Sequence, residues 1–362
     1  MWISDCGINI FVNYIPQSEI HIPKSHYFDM KKYVIILNLI LWVQTIWAQD
    51  PLFSNPNGIK TLLNPAWITD FGASLQVAAQ YRKQAETPLN TGLYETTGAT
   101  VQWNHPSKYV NYWGLGLQLS RDNVESGFFS QTQAYLSGYY SRFLFKTDGG
   151  KTLRRYYLIG AFSAGVSQQR LSDKLRWVQG YNPNNGQYQE SLLGGMHPVP
   201  TIDNYQHIQP TVNVGAMFQA LNGEGNGYEL GISAFHLNRP NQSWFANDQA
   251  LLNSRWAVHG SASIPIFRSW QPKLSMVYVM QGISKQVQAS IRLPLSATHQ
   301  GLSLELAQRW HSATAKTGIV GIHFRQPTLE FLVSYEMNLD GFKPINAFNN
   351  ALEAGLIFKL KK

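Results

Sequence analysis

Few residues in this chain could carry out chemistry, and His259-Gly-Ser261 is the nearest approach to a catalytic pair. Side chains two residues apart in a strand lie on the same face, so His259 and Ser261 would be neighbours. A histidine base beside a serine nucleophile would suit a lipid-acting hydrolase. The apolar residues of this stretch, such as Trp256 and Val258, occupy the opposite phase. That pattern predicts that His259 and Ser261 face an interior, so we expect no catalytic residue.

The other candidate ligand-binding motifs are also incomplete. Gly223-Glu-Gly-Asn-Gly227 is similar to a phosphate loop, but no Lys-Ser/Thr follows, and a hairpin turn explains it better. The histidines after residue 48 form no His-Glu-x-x-His motif and no tight cluster. His236 and His323 fall on the apolar phase near strand ends, which predicts an interfacial position. Cys6 is the only cysteine, and we expect no metal site and no cofactor.

The composition narrows the class of protein further. Charged residues make up 14% of the 362 residues, aromatic residues make up 13%, and the mean hydropathy is −0.22. Few charges and many aromatics disfavour a disordered chain, and they also disfavour an ordinary cytosolic enzyme. The formal net charge is +8, but the basic residues are scattered, so we expect no nucleic-acid partner.

The N-terminal region predicts export. Lys31-Lys32 precedes a short apolar stretch that ends in Ile46-Trp-Ala48, which is typical of a secretory signal peptide. We therefore expect a signal peptide at 30–48, an upstream start-site artefact at 1–29, and a mature chain at 49–362. No cysteine lies at the cleavage site, which disfavours a lipoprotein.

The mature chain alternates apolar and polar residues with a period of two. Stretches such as 73–82, 112–120, 285–293 and 328–338 show the pattern clearly. About 14 such segments occur, most of them near the 9–11 residues that cross a bilayer at a tilt. The fold class predicted is all-β, a transmembrane antiparallel β-barrel of about 14 strands.

The positions of the charges favour a membrane barrel over a secreted β-sandwich. Nearly all charges inside strands fall on the phase opposite the apolar one, and the other residues of that phase are small and polar. The charged residues on this phase are Arg82, Glu229, Arg292, Glu305, Arg309, Glu330, Glu336, Glu353 and Lys359. Arg142 and Arg325 are exceptions and are expected at strand ends. A Lys or Arg on the lipid face at mid-depth costs about 2–4 kcal/mol, so the charged phase should face the lumen.

The lengths of the connections predict an orientation. With a periplasmic N-terminal segment at 49–70, the long connections face outward, and the longest of them is 168–206. On the other side the longest connection is expected at 142–155, with Arg154-Arg155 as a periplasmic turn anchor. The 168–206 segment is either a lid, plug or partner-binding loop, or a plain surface loop. Asn-Pro-Ala at 64–66 predicts a turn before the first strand, with a partner contact as the alternative.

Several motifs resemble one known family. Gln49-Asp-Pro-Leu-Phe-Ser54 and Leu63-Asn-Pro-Ala66 resemble the mature start of the PorP/SprF family of Bacteroidetes outer-membrane proteins. In the same order, segments 114–122, 235–244 and 333–338 are similar to further family motifs, although Glu336 stands where the family usually has Asp. Glu353 to Leu360 resembles the β-signal that the outer-membrane assembly machinery captures, but Lys361-Lys362 replaces the usual terminal aromatic residue.

That resemblance implies a component of the type IX secretion system in the cell outer membrane. Such proteins help to export or to hold at the surface large cargo proteins, including adhesins with a C-terminal sorting domain. They also contact the periplasmic lipoprotein ring, and some serve gliding motility. We therefore expect a non-enzymatic barrel whose partners are outer-membrane lipid, ring lipoproteins and a secreted cargo. The alternatives are a porin or transport channel with an open lumen, and a lipid-acting hydrolase that uses His259.

Overall fold

A computed structural model describes residues 52–67, 73–84, 94–106, 111–124, 129–148, 153–171, 181–182, 187–188, 206–222, 227–243, 250–266, 270–295, 301–311, 316–339 and 350–361. The expected signal peptide at 30–48 and the segment 1–29 lie outside these residues. Within the described part of the chain, no helix is long and apolar enough to cross a bilayer.

The described residues form strands and one short 3-10 helix, Lys60–Leu62. The strands are β1 (Ala73–Gln84), β2 (Tyr94–Pro106), β3 (Tyr112–Val124), β4 (Phe129–Asp148), β5 (Leu153–Leu171), β6 (Tyr181–Asn182), β7 (Gln187–Tyr188), β8 (Gln206–Asn222), β9 (Gly227–Phe235), β10 (Arg255–Ser263), β11 (Lys273–Gln281), β12 (Ser284–Pro294), β13 (Gly301–His311), β14 (Lys316–Arg325), β15 (Leu329–Asn338) and β16 (Ala351–Lys361).

All the strands except β6 and β7 form one closed barrel. Sequential strands pair antiparallel, β5 pairs with β8, and β16 returns to pair with β1, where Arg82 lies opposite Glu353. The two-residue strands β6 and β7 pair with each other within the connection between β5 and β8. The predicted all-β antiparallel barrel of about 14 strands is thus confirmed.

The exterior of the barrel is apolar. Leu115, Leu117 and Leu119 on β3 are each 47% exposed, whereas Gln118 between them is 3% exposed. The same alternation continues around the barrel, with outward side chains such as Ile322 and Phe331. This apolar outer phase is what a bilayer requires of strands that cross it.

The charges of the strands lie on the inner phase, as predicted. Glu305, Glu336, Glu353, Arg309 and Lys359 are all less than 9% exposed. Arg325 is the last residue of β14 and its guanidinium Nε lies 2.9 Å from Glu330 Oε1. In the described strands, charge therefore lies mainly in the lumen or toward the two ends of the barrel, which explains a chain that is poor in charge without being hydrophobic on average.

One hairpin is longer than predicted. The expected turn at 142–155 is wrong, because β4 continues to Asp148 and β5 begins at Leu153. The expectation that Arg142 lies at a strand end is therefore wrong as well. Strand β4 continues beyond Arg142, has a β-bulge between Phe143 and Phe145, and stays paired with β5.

The connections at the two ends of the barrel differ in length. Those that follow β1, β3, β5, β9, β11, β13 and β15 lie at one end, and they include the longest one, between Leu171 and Gln206. We call this the long-loop end and the opposite end the short-loop end. Most of the 168–206 connection falls outside the described residues.

Candidate functional site: a luminal plug and its docking cradle

Residues 52–67, which we call the plug, lie inside the barrel. Phe53, Asn55, Leu62, Asn64 and Trp67 are each less than 9% exposed, and they contact side chains and backbone carbonyl groups of strands on opposite walls. The expectation of a periplasmic segment at 49–70 therefore needs correction for these residues. Residues 52–67 show no alternation of apolar and polar residues, so their position inside the barrel could not be predicted from periodicity.

The plug runs along the lumen. Arg82 Nη1 donates to the carbonyl oxygen of Leu52 at 3.1 Å, and Arg82 is two residues from the end of β1 at the long-loop end. Strand β1 starts at Ala73 at the short-loop end. Leu52 therefore lies toward the long-loop end, and the chain must return to the short-loop end before β1 begins.

A carboxylate on the last strand captures the backbone of the plug. Glu353 is 1% exposed and accepts hydrogen bonds from the backbone N–H groups of Ser54 at 2.7 Å and Asn55 at 2.9 Å. Gln80 Nε2 donates to the same carboxylate at 2.5 Å, and its Oε1 accepts from the N–H of Ile59 at 2.9 Å. Three donors converge on this buried side chain, so Glu353 is a polar anchor of the plug.

A second carboxylate joins the plug to two arginines. Glu336 lies 3.1 Å from Arg82 Nη2 and 3.0 Å from Arg309 Nη1, and it also accepts a hydrogen bond from the hydroxyl of Ser54. Gln288 Nε2 donates to the carbonyl oxygen of Ser54 at 2.9 Å. Buried charges need this degree of pairing, because an unpaired one is strongly destabilising.

The luminal residues that hold the first half of the plug, which we call the cradle, are Gln80, Gln288, Glu305, Glu336 and Glu353. His323 on β14, predicted at the membrane interface, lies among them. His323 Nε2 lies 2.6 Å from Glu305 Oε2, which also pairs with Arg292 Nη2 at 2.9 Å. Asn55 Nδ2 reaches the same histidine nitrogen at 2.9 Å. The interfacial prediction for His323 is wrong because Val320, Ile322 and Phe324 form the outward phase of β14.

His236 is also buried instead of interfacial. It follows β9, is 1% exposed, and its Nδ1 lies 2.8 Å from the hydroxyl of Thr211. Its backbone has a positive φ of 56°, a conformation that non-glycine residues seldom adopt. The backbone N–H of His236 donates to Asn213 Oδ1 at 3.0 Å, which fixes this turn.

The Asn64-Pro-Ala66 segment forms the predicted turn and docks on the opposite wall. Trp67 N–H donates to the carbonyl oxygen of Asn64 at 2.9 Å, and Ala66 N–H donates to Asn64 Oδ1 at 2.9 Å. The Nδ2 of Asn64 lies 3.2 Å from the carbonyl oxygens of both Ala216 and Ile232, on β8 and β9. The amide thus joins a turn of the plug to the edges of two strands.

Two glycines make room for this contact. A Cβ at Gly215 would lie 2.0 Å from Asn64 Oδ1, and one at Gly231 would lie 2.3 Å from His259 Nε2. Real Cβ atoms do not approach so closely, so both strands need glycine where the plug meets them.

His259 serves as a platform for the plug. Its ring stacks on Trp67 with centroids 4.0 Å apart, and its Nε2 lies 3.0 Å from Asn64 Nδ2. Ser261 Oγ instead donates to Glu229 Oε2 at 2.9 Å. The prediction that both side chains face the lumen is confirmed. The hydrolase arrangement is not formed, because His259 contacts the plug and Ser261 contacts Glu229.

Lys60 lies at the middle of the plug among charged groups. Burial in the lumen lowers the pKa of its amine to about 7, and the positive charge of Lys273 also lowers it, whereas Glu229 opposes the shift. Its Nζ lies 5.2 Å from the centroid of the Trp67 ring. Because the pKa of Lys60 is near neutral pH when the plug is docked, we expect docking to depend on pH.

The plug fills the space that it enters. Leu63, Ala66 and Trp67 pack with Tyr139, Ile159 and Met217, while Phe53, Ile59 and Leu62 pack with Ala78 and Ile357. A cavity of about 30 Å³ lies between the plug and β11–β12, which is large enough to hold water. Across the described residues, no group of three or more His, Cys, Asp or Glu side chains could hold a metal ion.

Comparisons with known proteins found similarity among solved structures only. No protein-family model matches the chain, and no curated protein does either. Among solved structures, BamA from Haemophilus ducreyi lacking POTRA domains 1–3 aligns with a TM-score of 0.38 and 10% identity, covering 79% of this chain and 70% of that one. A porin mutant from Rh. blastica aligns with a TM-score of 0.33 and 8% identity, covering 79% and 99%.

The strand pairing and the distribution of polar groups define the class without those comparisons. A closed antiparallel barrel with an apolar exterior and a polar interior is a transmembrane β-barrel. In this one, the chain's own residues 52–67 occupy the lumen. The functional residues that the sequence did not reveal are the cradle positions, Gln80 and Gln288 above all. Both look like ordinary polar-phase residues, and only their contacts with the plug distinguish them.

Proposed function

We propose that this chain is an outer-membrane barrel that acts through protein contacts and does not conduct solutes. In this proposal it is a component of the type IX secretion system of the PorP/SprF type. It helps to export a cargo such as an adhesin, or to attach it at the cell surface, and it links to the periplasmic lipoprotein ring. The proposal that the barrel does not conduct solutes rests on the plug, whose backbone is bound by Glu353.

The plug argues against the porin alternative. A porin needs a water-filled channel through its lumen. Here two apolar clusters and two buried carboxylates hold the plug on both walls of the barrel. A solute could cross only after those contacts break.

The secretion role is supported by the sequence motifs, which occur in family order from Gln49 to Asn338. The longest connections between strands lie at the long-loop end, and connecting segments often carry the binding function of a barrel. Under the predicted topology, this end faces outward.

Conductance in planar bilayers tests the plugged state. The wild-type barrel should give almost no steady conductance, whereas a variant with 52–67 replaced by a Gly-Ser linker of equal length should conduct. Steady channel conductance from the wild-type protein would favour a porin and overturn the proposal.

Cargo display tests the secretion role. Deleting 180–195 should leave membrane insertion intact and reduce surface display of the cargo protein, and affinity capture of the tagged barrel should recover ring lipoproteins. Unchanged display together with no ring lipoprotein in the captured material contradicts this role. The hydrolase alternative requires that the wild-type barrel hydrolyse phospholipid and that His259→Ala abolish the activity.

A further inference from the structure

The hairpin of β4 and β5 extends beyond its neighbour at the short-loop end. The last pair between β3 and β4 joins Tyr112 and Ser141, whereas β4 remains paired with β5 from Arg142 to Asp148. On the far side, β5 is paired with β8 down to Arg154 and Asn222. The hairpin edge that carries 143–148 therefore pairs with no described strand.

The backbone of this edge is oriented for pairing. Phe143 N–H points toward the β3 side, where it donates to Asn111 Oδ1 at 2.8 Å. Backbone groups of an antiparallel strand alternate between its two neighbours. Leu144 is the extra residue of the bulge, so alternation resumes at Phe145 and turns the N–H and C=O of Lys146 toward the open edge.

From Arg142 to Lys146, the residues of this edge are basic or apolar. Arg142, Lys146 and Arg155 are exposed, with Lys146 and Arg155 directly opposite each other. Leu144 is 40% exposed and Phe145 is 50% exposed. An incoming chain would meet backbone groups that pair with no described strand, together with apolar side chains and positive charge.

We propose that the 143–148 edge of β4 binds an extended, acidic segment of a partner protein by strand addition. Main-chain hydrogen bonds to an exposed edge supply affinity in this binding mode, and alternate side chains supply specificity. Carboxylates on the partner complement Lys146 and Arg155. A lipid surface could use the charges but would leave the backbone groups of the edge unpaired.

This inference deepens the proposed function, on which it rests for the idea that the barrel works through protein contacts. It adds a site and a chemical class of partner at the short-loop end. The long connections at the opposite end play no part in it.

The probe is a labelled peptide of alternating glutamate and valine, and its binding to the purified barrel is measured by fluorescence anisotropy at low ionic strength. Lys146→Pro removes the edge N–H and should weaken binding at least tenfold, with the hairpin intact because that N–H does not face β5. Lys146→Glu keeps the N–H, reverses the charge, and should also weaken binding at least tenfold. Lys285→Glu, at the long-loop end, is the matched charge control and should bind like the wild type.

Two further probes separate the alternatives. A peptide with N-methylated amides cannot add as a strand and should bind at least tenfold more weakly than the unmodified one. Vesicles containing anionic phospholipid should not displace the peptide. Equal binding of the N-methylated peptide, equal binding by Lys146→Pro, or full displacement by the vesicles overturns the inference.

The conductance assay keeps this inference distinguishable from the proposed function. A silent wild-type barrel that does not bind the peptide overturns strand addition alone. A steadily conducting wild-type barrel overturns the proposed function, whatever the peptide does.

Discussion

Replacing Glu353 with glutamine should release the plug. The carboxylate accepts two backbone N–H groups of the plug and the amide of Gln80. A glutamine keeps one acceptor oxygen and turns an NH₂ group toward one of these donors. The side chain is 1% exposed, so water cannot replace the lost bond while the plug stays docked.

The size of the effect follows from the strength of such bonds. Removing one acceptor leaves a buried N–H donor unpaired, which costs about 1–3 kcal/mol. We expect docking to weaken by about 1–3 kcal/mol, a rise of about 5- to 160-fold in the undocked-to-docked ratio.

Thiol labelling measures that ratio. Thr61 lies in the plug, is 5% exposed, and has a hydroxyl with no hydrogen-bond partner among the described residues, so Thr61→Cys places a reporter there at little cost. Because Cys6 is the only native cysteine, the reporter is the single thiol after residue 48. When opening is fast relative to modification, the labelling rate is proportional to the undocked fraction.

Glu330→Gln is the matched control. Glu330 is also a luminal carboxylate, but its bonded partners, Arg325 and Lys359, lie on strands. It should leave the labelling of Thr61→Cys within a fewfold of the starting rate. If Glu353→Gln labels no faster than its parent, while retaining the heat-dependent gel mobility of a folded barrel, then Glu353 does not anchor the plug.

Two further perturbations act on the plug by different routes. Gly231→Ala places a methyl group 2.3 Å from His259 Nε2 and should weaken docking by about 1–3 kcal/mol. Gly160→Ala is the control, because no atom lies within 4 Å of its new Cβ, and it should be labelled at the rate of the parent. Equal labelling rates for the two variants would contradict the steric reasoning. The pKa of Lys60, lowered to about 7 from its ordinary 10.5, means that docking releases a proton between these values. Docking should therefore tighten as pH rises from about 7 to 10.5 and be independent of pH below about 7. The readout is the labelling rate of the docked barrel relative to that of the unfolded chain, and its pH dependence should vanish in Lys60→Met. A wild-type labelling ratio that does not change with pH would refute this prediction.

The barrel was predictable because lipid imposes a simple rule on every strand. Alternation placed Leu115, Leu117 and Leu119 outside and the nine strand charges inside, and the structure agrees. The same rule does not locate strand ends, because Arg142 is an exposed charge on the outer phase and β4 continues to Asp148. Arg142 lies near the short-loop end, where its side chain can reach water, so its charge gave no information about pairing.

The plug was not predictable because its contacts are specific and involve no repeating pattern. Asn64 was assigned correctly to a turn, but nothing in Asn-Pro-Ala indicates that its amide reaches the carbonyl oxygens of Ala216 and Ile232. Similarly, the luminal phase of His259 could be predicted, whereas the stacking of Trp67 on it could not. Such contacts depend on residues about 150 to 200 positions apart, and strand periodicity carries no information at that range.

The two halves of the plug make the closed barrel and the filled lumen dependent on each other. The first half is bound by Gln80 on β1 and Glu353 on β16, the strands that meet where the barrel closes. The second half is bound on β8, β9 and β10. The full set of polar contacts exists only when the first and last strands are paired and the opposite wall is in place. Docking energy then adds to closure of the β1–β16 seam, so a variant that frees the plug should also lower the stability of the seam.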